Sequence, residues 1–235
     1  MDVTKHLLRL AAILALLGGW EARARNDVPA WEPATQQKEP GQVSFPISCG
    51  PGAQSDFDRT MTLFHSPWYA QSAQRFTGLA RKYPNCGMTY WGIALSILHN
   101  APGGPRMSEK AWKEGRAAVE KAISMTPRTE RERDYLAAIE GFYNKGAKTD
   151  SLRTRQMAYG RAMEQVHLRH PDDMEAAVLF ALALNMTAST TGETSGNWRR
   201  AAAILEKVFA KQPGHPGSAH YLIRGCSGGD RHPPG

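Results

Sequence analysis

The sequence lacks the run of about 20 apolar residues that a membrane-spanning helix needs. The apolar stretch close to the N-terminus covers only residues 10–17. Only 3 cysteines are present, and none lies near the start, where a lipid anchor would be attached. We therefore expect no stable membrane insertion of the mature chain.

A block of basic residues is also missing, because no five Lys or Arg residues stand together. The formal net charge is +7, but the basic residues are spread along the whole chain. Such a balance favours acidic partners or anionic surfaces only weakly, and it does not predict nucleic-acid binding.

The sequence contains no H-E-x-x-H, P-loop or Rossmann glycine pattern. The glycines of "GGDRH" are not followed by a predicted helix that could hold a phosphate group. We therefore expect neither an enzyme nor a cofactor.

Residues 1–24 have the order of a secretory signal peptide. Lys5 and Arg9 precede the apolar run, and a small-x-small site, Ala-Arg-Ala, covers residues 22–24. An uncleaved amphipathic anchor is the alternative. We predict export, with the periplasm of a Gram-negative bacterium as the setting, where disulfides persist.

Cys49 and Cys86 flank the first predicted pair of helices. A disulfide between them would tie the N-terminal arm to the start of a helix and add roughly 3–4 kcal/mol of stability. Cys226 has no assigned role.

The stretch around Cys86 also offers soft metal ligands, namely Cys86, Met88 and His99, with His65 nearby. Thirteen residues separate Cys86 from His99, which is about 20 Å along a helix. A disulfide would also remove the thiolate. We therefore expect no metal, although a metal-handling protein or a small-molecule enzyme built on these four residues is the alternative function.

Four prolines mark a repeat. Pro84, Pro127, Pro171 and Pro213 are spaced by 43, 44 and 42 residues. Each follows an amphipathic stretch and precedes a run rich in Ala, Leu and aromatic residues. Proline ends a helix because it lacks the N–H group and clashes with the preceding turn. Paired helices at such a period are typical of an α-solenoid.

Start signals support this interpretation. Thr129 and Glu132 predict a T-x-x-E capping box, and Asp172 and Asp173 stand where a helix dipole favours anions. The sequence predicts helices at 53–65, 67–82, 86–99, 108–125, 129–144, 150–169, 172–187, 196–211 and 215–224.

The junction "FTGLARKYPNCGMTYWGIALSI" resembles the tetratricopeptide repeat, in which the second helix of one repeat leads into the first helix of the next. The matching positions are Phe76, Pro84, Tyr90, Ile93 and Ala94. The period exceeds the usual length of about 34 residues, and the extra residues fall in loops. The resemblance covers residues 43–224 and extends to exported bacterial tetratricopeptide proteins of unsettled function.

This resemblance implies an all-α solenoid of about four helical hairpins with long loops. The expected organisation is a signal peptide at 1–24, an extended arm at 25–48, a repeat domain at 49–224 and a disordered tail at 225–235. The last helix lacks a covering partner, so the chain is truncated, self-associates through this repeat, or simply ends in a disordered terminus.

The family resemblance implies a scaffold that binds another protein or an extended peptide in its concave face. The first helix of each pair would line that face, with aromatic anchors and polar contacts to the partner's backbone. Packing in the core is the alternative role for the aromatic residues. The candidate binding residues are Tyr90, Trp91, Tyr135, Glu140 and Asn185.

Overall fold

The computed structural model describes residues 41–100, 107–125, 129–143, 151–189, 192 and 195–229, with side chains up to residue 223. All of them belong to one compact unit, Glu39–Gly235. The predicted signal peptide 1–24, the first part of the predicted arm and the end of the predicted tail lie outside the described residues.

The regular secondary structure of the described ranges is entirely α-helical, which confirms the all-α prediction. Its helices are α1 Pro51–His65, α2 Tyr69–Lys82, α3 Gly87–His99, α4 Glu109–Ser124, α5 Glu130–Tyr143, α6 Leu152–Arg169, α7 Met174–Thr187, α8 Asn197–Lys211 and α9 Pro216–Gly229. In the part of the chain covered here, none of these helices is both long and apolar enough to cross a membrane.

The predicted helices coincide with the observed ones to within about two residues at each end, apart from the last. Helix α9 continues to Gly229 instead of ending at 224. The boundary predicted for a disordered tail, residue 225, therefore falls inside a helix.

Each helix packs against the next one in the chain, and a second set of contacts joins the odd-numbered helices. These contacts pair α1 with α3, α3 with α5, and α7 with α9. Helix α9 also packs against α1. The odd-numbered helices are called here the inner layer, in which the first described helix meets the last and side chains of α5 reach Asp173 at the start of α7.

The composition of the helices explains the two layers. In α7 every side chain from residue 175 to 184 is buried, as expected for a helix that is apolar on all sides. In contrast, α8 buries one stripe made of Ala201, Leu205 and Val208, and its other residues are half-buried or exposed. A helix with a single apolar stripe is stable only at the outside of the array.

The predicted disulfide is present. Cys49 and Cys86 are bonded, with a distance of 5.1 Å between their Cα atoms. The bond joins the segment before α1 to the N-terminus of α3. It is compatible with an oxidising, exported compartment.

The predicted capping box is formed only in part. The Thr129 hydroxyl accepts a hydrogen bond from the Glu132 backbone N–H at 3.1 Å. The Glu132 carboxylate binds Ser48 of the N-terminal segment instead of turning back to Thr129. Helix α7 begins two residues later than predicted, and Asp173 is its N-cap, because its side chain accepts the N–H of Glu175 at 3.0 Å.

Candidate functional site

Residues 41–49, called here the docked arm, lie in an extended conformation against the inner layer. Their side chains alternate, because Val43 and Phe45 are buried whereas Gln42, Ser44 and Pro46 are exposed. This two-residue alternation is typical of an extended segment with one face against a surface. The docked arm thus lies along the surface formed by α1, α3 and α5, called here the inner groove, as a bound peptide would.

Phe45 is the central anchor of the docked arm and is fully buried. Its ring centroid lies 5.4 Å from that of Phe57 in α1, 5.1 Å from Trp91 in α3 and 5.0 Å from Tyr135 in α5. Aromatic pairs at such tilted geometries add stability beyond the area that they bury. Three inner helices therefore form one aromatic pocket around a single side chain of the arm.

Arg131 closes this pocket from the other side. Its guanidinium group lies 4.2 Å from the centroid of the Phe45 ring and donates to the Pro46 carbonyl at 2.8 Å. It also donates to Asp173 at 2.5 Å. Burial alone would lower the pKa of Arg131, but the bond to Asp173 raises it, so the side chain remains a cation.

The same Asp173 oxygen receives the Tyr135 hydroxyl at 2.8 Å. Burial raises the pKa of Tyr135 well above its usual range, and the Asp173 charge adds to this effect. The phenol therefore acts as a hydrogen-bond donor at any physiological pH.

The backbone of the docked arm is bound by side chains of α1. The N–H of Phe45 donates to Asp58 at 2.9 Å, and Gln54 donates to the Phe45 carbonyl at 2.8 Å. The N–H of Ile47 donates to the Gln54 oxygen at 2.9 Å. Burial raises the pKa of Asp58, while the N–H groups of Phe45 and Gln54 oppose that rise. Such contacts bind any extended backbone of the right shape.

Both ends of the docked arm are also held. At one end, Ser48 donates through its backbone N–H and its hydroxyl to Glu132, at 2.7 and 2.6 Å. At the other end, Gln212 donates to the Gln42 carbonyl at 2.9 Å. Gly41 lies so close to Gly214 that an added Cβ would be 1.7 Å from the Gly214 carbonyl oxygen. The arm therefore spans the inner layer from α5 to the α8–α9 connection.

The structure brings two of the five predicted binding residues together, since Trp91 and Tyr135 both contact Phe45. Tyr90 instead lines a separate groove of about 870 Å³ between α2, α3 and α4. Glu140 is exposed and lines a groove of about 430 Å³ beside α4. Asn185 donates to the Tyr221 carbonyl at 3.2 Å, between α7 and α9.

A second polar group, called here the closure cluster, consists of His65, Glu175, His215 and Tyr221. Glu175 accepts His65 Nε2 at 2.8 Å on one oxygen and His215 Nε2 at 2.7 Å on the other. The Tyr221 hydroxyl lies 3.2 Å from His65 Nδ1. All four side chains are at least 98% buried. The cluster connects α1, α7 and the start of α9.

The two histidines control the charge of Glu175. Burial alone would raise its pKa, but the neighbouring His65 and His215 lower it to about 2. Burial lowers the pKa of His65, and the Glu175 charge opposes this. At neutral pH the cluster therefore contains a carboxylate that accepts two imidazole N–H groups.

Two imidazoles and a carboxylate with ligand atoms within 4.8 Å of one another resemble a metal site. The hydrogen bonds of His215 do not fit a metal ligand. His215 Nδ1 accepts the N–H groups of Gly217 and Ser218 at 3.1 and 3.3 Å, so its proton is on Nε2. A metal ligand needs a free lone pair on Nε2. The cluster is therefore built as a hydrogen-bonded network.

The soft-ligand group considered from the sequence is likewise committed to other contacts. Cys86 has no free thiolate because it is bonded to Cys49. His65 binds Glu175, and the ring of His99 packs against Phe64, with 5.3 Å between centroids.

Sequence reasoning identified His65 but missed its partners. Glu175 stands 110 residues from His65 and 40 from His215, so no local spacing links the three. The available signal was an acidic residue within the otherwise apolar run of α7, where a buried charge requires a partner.

No known protein-family model matches this sequence, and comparison with curated proteins and with solved structures gives no significant match either. The tetratricopeptide resemblance therefore remains a prediction from the residues that carry it. The comparisons assign no family to this chain.

Proposed function

We propose that the chain is a tetratricopeptide-like α-solenoid of the cell envelope that binds an extended segment of a protein in its inner groove. The docked arm is the observation that carries this proposal, because it occupies the groove in the way expected of such a ligand. Phe45 supplies the aromatic anchor, and Gln54 and Asp58 bind the backbone.

The chemistry of the groove indicates what kind of segment would bind. The anchor position is a pocket of three aromatic rings with a guanidinium group over it, which favours Phe. Glu132 accepts an N–H and a hydroxyl at the position of Ser48, so a Ser or Thr fits there. A partner segment would therefore carry Phe with Ser or Thr three positions later.

A partner would have to compete with the arm. The arm is covalently attached beside the groove, so its local concentration is in the millimolar range or above. The free groove must therefore be tested in a chain whose own anchor has been removed. The variant Phe45→Ala meets this need because it keeps every backbone group of the arm.

The test is fluorescence anisotropy with a labelled peptide that has the sequence of residues 39–48. We expect this peptide to bind the Phe45→Ala chain at least tenfold more tightly than it binds the unchanged protein. A peptide with Ala in place of Phe45 is the matched control and should bind at least tenfold more weakly. Equal binding of the two peptides to a variant that circular dichroism shows to be folded would overturn the proposal.

If Phe45→Ala does not fold, Phe45→Leu is the replacement, since Leu keeps most of the buried volume but not the ring contacts. The same peptides and the same criterion then apply. The groove's need for an aromatic anchor is thus tested in either case.

A further inference from the structure

The closure cluster holds the two ends of the helical array together. His65 is the last residue of α1, Glu175 lies in the first turn of α7, and His215 immediately precedes α9. Helix α9 also packs against α1, where Gly217 would place an added Cβ 2.7 Å from His65 Nδ1. The hydrogen bonds of this cluster therefore lie at the contact between α9 and α1.

The hydrogen bonds of His215 leave no room for a second proton. Its Nε2–H donates to Glu175, and its Nδ1 accepts the N–H groups of Gly217 and Ser218. These are N–H groups of the first turn of α9, which has no earlier carbonyl to bind. A proton on Nδ1 would face both N–H groups and remove the cap of α9.

The hydrogen bonds of His65 also leave no room for a second proton. Its Nε2–H donates to Glu175, so Nδ1 is the acceptor of the Tyr221 hydroxyl at 3.2 Å. A second proton would force that hydroxyl to turn from donor to acceptor inside a closed core. Burial lowers the pKa of His65, which means that the closed form binds this proton less readily than an opened form.

We propose that the closure cluster is an acid-sensitive latch that fastens α9 to α1 and α7 while the Nδ1 atoms of both rings accept hydrogen bonds from α9, and that releases the start of α9 in acid. The groups that face the two rings are Glu175 from α7 and Tyr221 from α9. Arg131 of α5 and Asp58 of α1 act on Glu175 from a distance. Arg131 keeps its charge throughout, so it does not contribute to the response.

The direction of the pH dependence follows from the difference in proton affinity between the closed and opened forms. An opened form takes up a proton near the ordinary histidine pKa of 6.5, whereas the closed form resists it until a lower pH. Between these two values the closed form loses about tenfold in relative population per pH unit through His65. The latch is therefore fully fastened above pH 6.5 and weakens as the pH falls below it.

Release of the start of α9 would also weaken the contacts of the docked arm. Gly41 packs against Gly214, and Gln42 accepts from Gln212, so both contacts lie next to His215 in the chain. Acid would loosen this end of the arm and make the inner groove easier to enter. This consequence rests on the proposed function, whereas the latch itself does not.

The latch is tested by hydrogen exchange, read by mass spectrometry, on the full chain at pH 7.5 and pH 5.5 after correction for intrinsic exchange rates. We expect the protection of residues 216–223 to fall at least tenfold at pH 5.5. Fragments of α3 should keep their protection. Unchanged protection of α9, or an equal loss in all helices, would overturn the latch.

Two substitutions remove the imidazole rings of the closure cluster and keep hydrogen bonds to Glu175 and to the first turn of α9. His65→Gln retains an N–H for Glu175, and His215→Asn retains an acceptor for the first turn of α9. The double variant should show the same α9 protection at both pH values. Retention of the wild-type pH response in this variant would contradict the proposal.

His170→Asn is the matched control, because His170 also pairs with a carboxylate, Asp134, at 2.8 Å but lies outside the cluster. It should keep the wild-type response of α9. If the double variant does not fold, His65→Gln alone should reduce the response, and an unreduced response would count against the latch. Peptide binding by Phe45→Ala at pH 7.5 tests the proposed function separately, so the two can fail independently.

Discussion

The ring of Phe45 lies 5.0 Å from the ring of Tyr135, and both side chains are fully buried. Ninety residues separate them in the sequence. An N-terminal segment that has no helix of its own thus supplies the centre of the aromatic core between α1, α3 and α5. The arm is part of the fold as much as it is an occupant of the groove.

Removal of the Phe45 ring should lower the stability of the fold. We expect Phe45→Ala to lower the free energy of unfolding by about 3–5 kcal/mol, because it leaves a cavity among three aromatic rings. Urea denaturation measures the loss. Phe209→Ala is the control: this side chain is 42% exposed on α8, and its removal should cost less than about 1.5 kcal/mol. Equal costs for the two variants would show that the arm is not docked.

The disulfide should stabilise the chain chiefly by restricting the unfolded state. It closes a loop with a sequence separation of 37, so replacing Cys49 and Cys86 by Ser should lower the free energy of unfolding by roughly 3–4 kcal/mol. Thermal unfolding with and without dithiothreitol measures this. The reductant should destabilise the unchanged chain and Cys226→Ser alike, and it should have no effect on the double variant. A reductant-dependent shift of the unfolding temperature in the double variant would show that dithiothreitol does not act through the Cys49–Cys86 bond.

Loss of the Glu175 charge should remove an acid-dependent part of the stability. The pKa of Glu175 is about 2 in the folded chain against an ordinary value of 4.5. A lowered carboxyl pKa gives stability that is present above pH 4.5 and is lost as the pH falls towards 2. Glu175→Gln should therefore cost about 3–5 kcal/mol at pH 7, since one histidine N–H then faces an amide NH₂ group.

The difference between Glu175→Gln and the unchanged chain should shrink between pH 4.5 and pH 2 in a series of urea titrations. Glu140→Gln is the control, because this side chain is exposed on α5. Its curve should run parallel to that of the unchanged chain. A constant difference for Glu175→Gln across the range would show that the carboxylate is not stabilised by its histidines.

Two glycines in helices should respond to alanine in opposite directions. In Gly217→Ala the added Cβ would lie 2.7 Å from His65 Nδ1 and 3.0 Å from Val178, so we expect a loss of about 1–3 kcal/mol. At Gly160 in α6, no heavy atom lies within 4 Å of an added Cβ. Gly160→Ala should therefore stabilise the chain by about 0.5–1 kcal/mol. Urea midpoints compare the two, and a gain for Gly217→Ala would refute the close contact with α1.

Much of the helical framework could be predicted because its signals are local. Pro84 and the prolines that repeat after it mark helix ends, and the apolar spacing between them marks the buried faces. The pairing of Cys49 with Cys86 followed from their positions beside the first helical pair. Trp91 and Tyr135, predicted as binding residues, both contact Phe45, a side chain that the sequence did not single out.

An extended arm was predicted, but its docking on the helices was not, because an extended segment has no helical period. The alternation of Val43, Phe45 and Ile47 was visible, but alternation alone does not say which surface a segment meets. Glu132 was assigned to a local capping box, but its carboxylate accepts a hydrogen bond from Ser48, which lies 84 residues away in the sequence. Long-range polar contacts of this kind, including those of Glu175, depend on the packed geometry.

The hydrogen bond from Gln212 to Gln42 has a further consequence, for the order of folding. It joins residues 170 positions apart, so nearly the whole helical array must be in place before it can form. Contacts of such high sequence separation are paid for in chain entropy before they contribute, and they slow folding. The docked arm is thus secured in two steps, because Phe45 can enter its pocket once α5 is in place, whereas Gln42 must wait for the residue that follows α8.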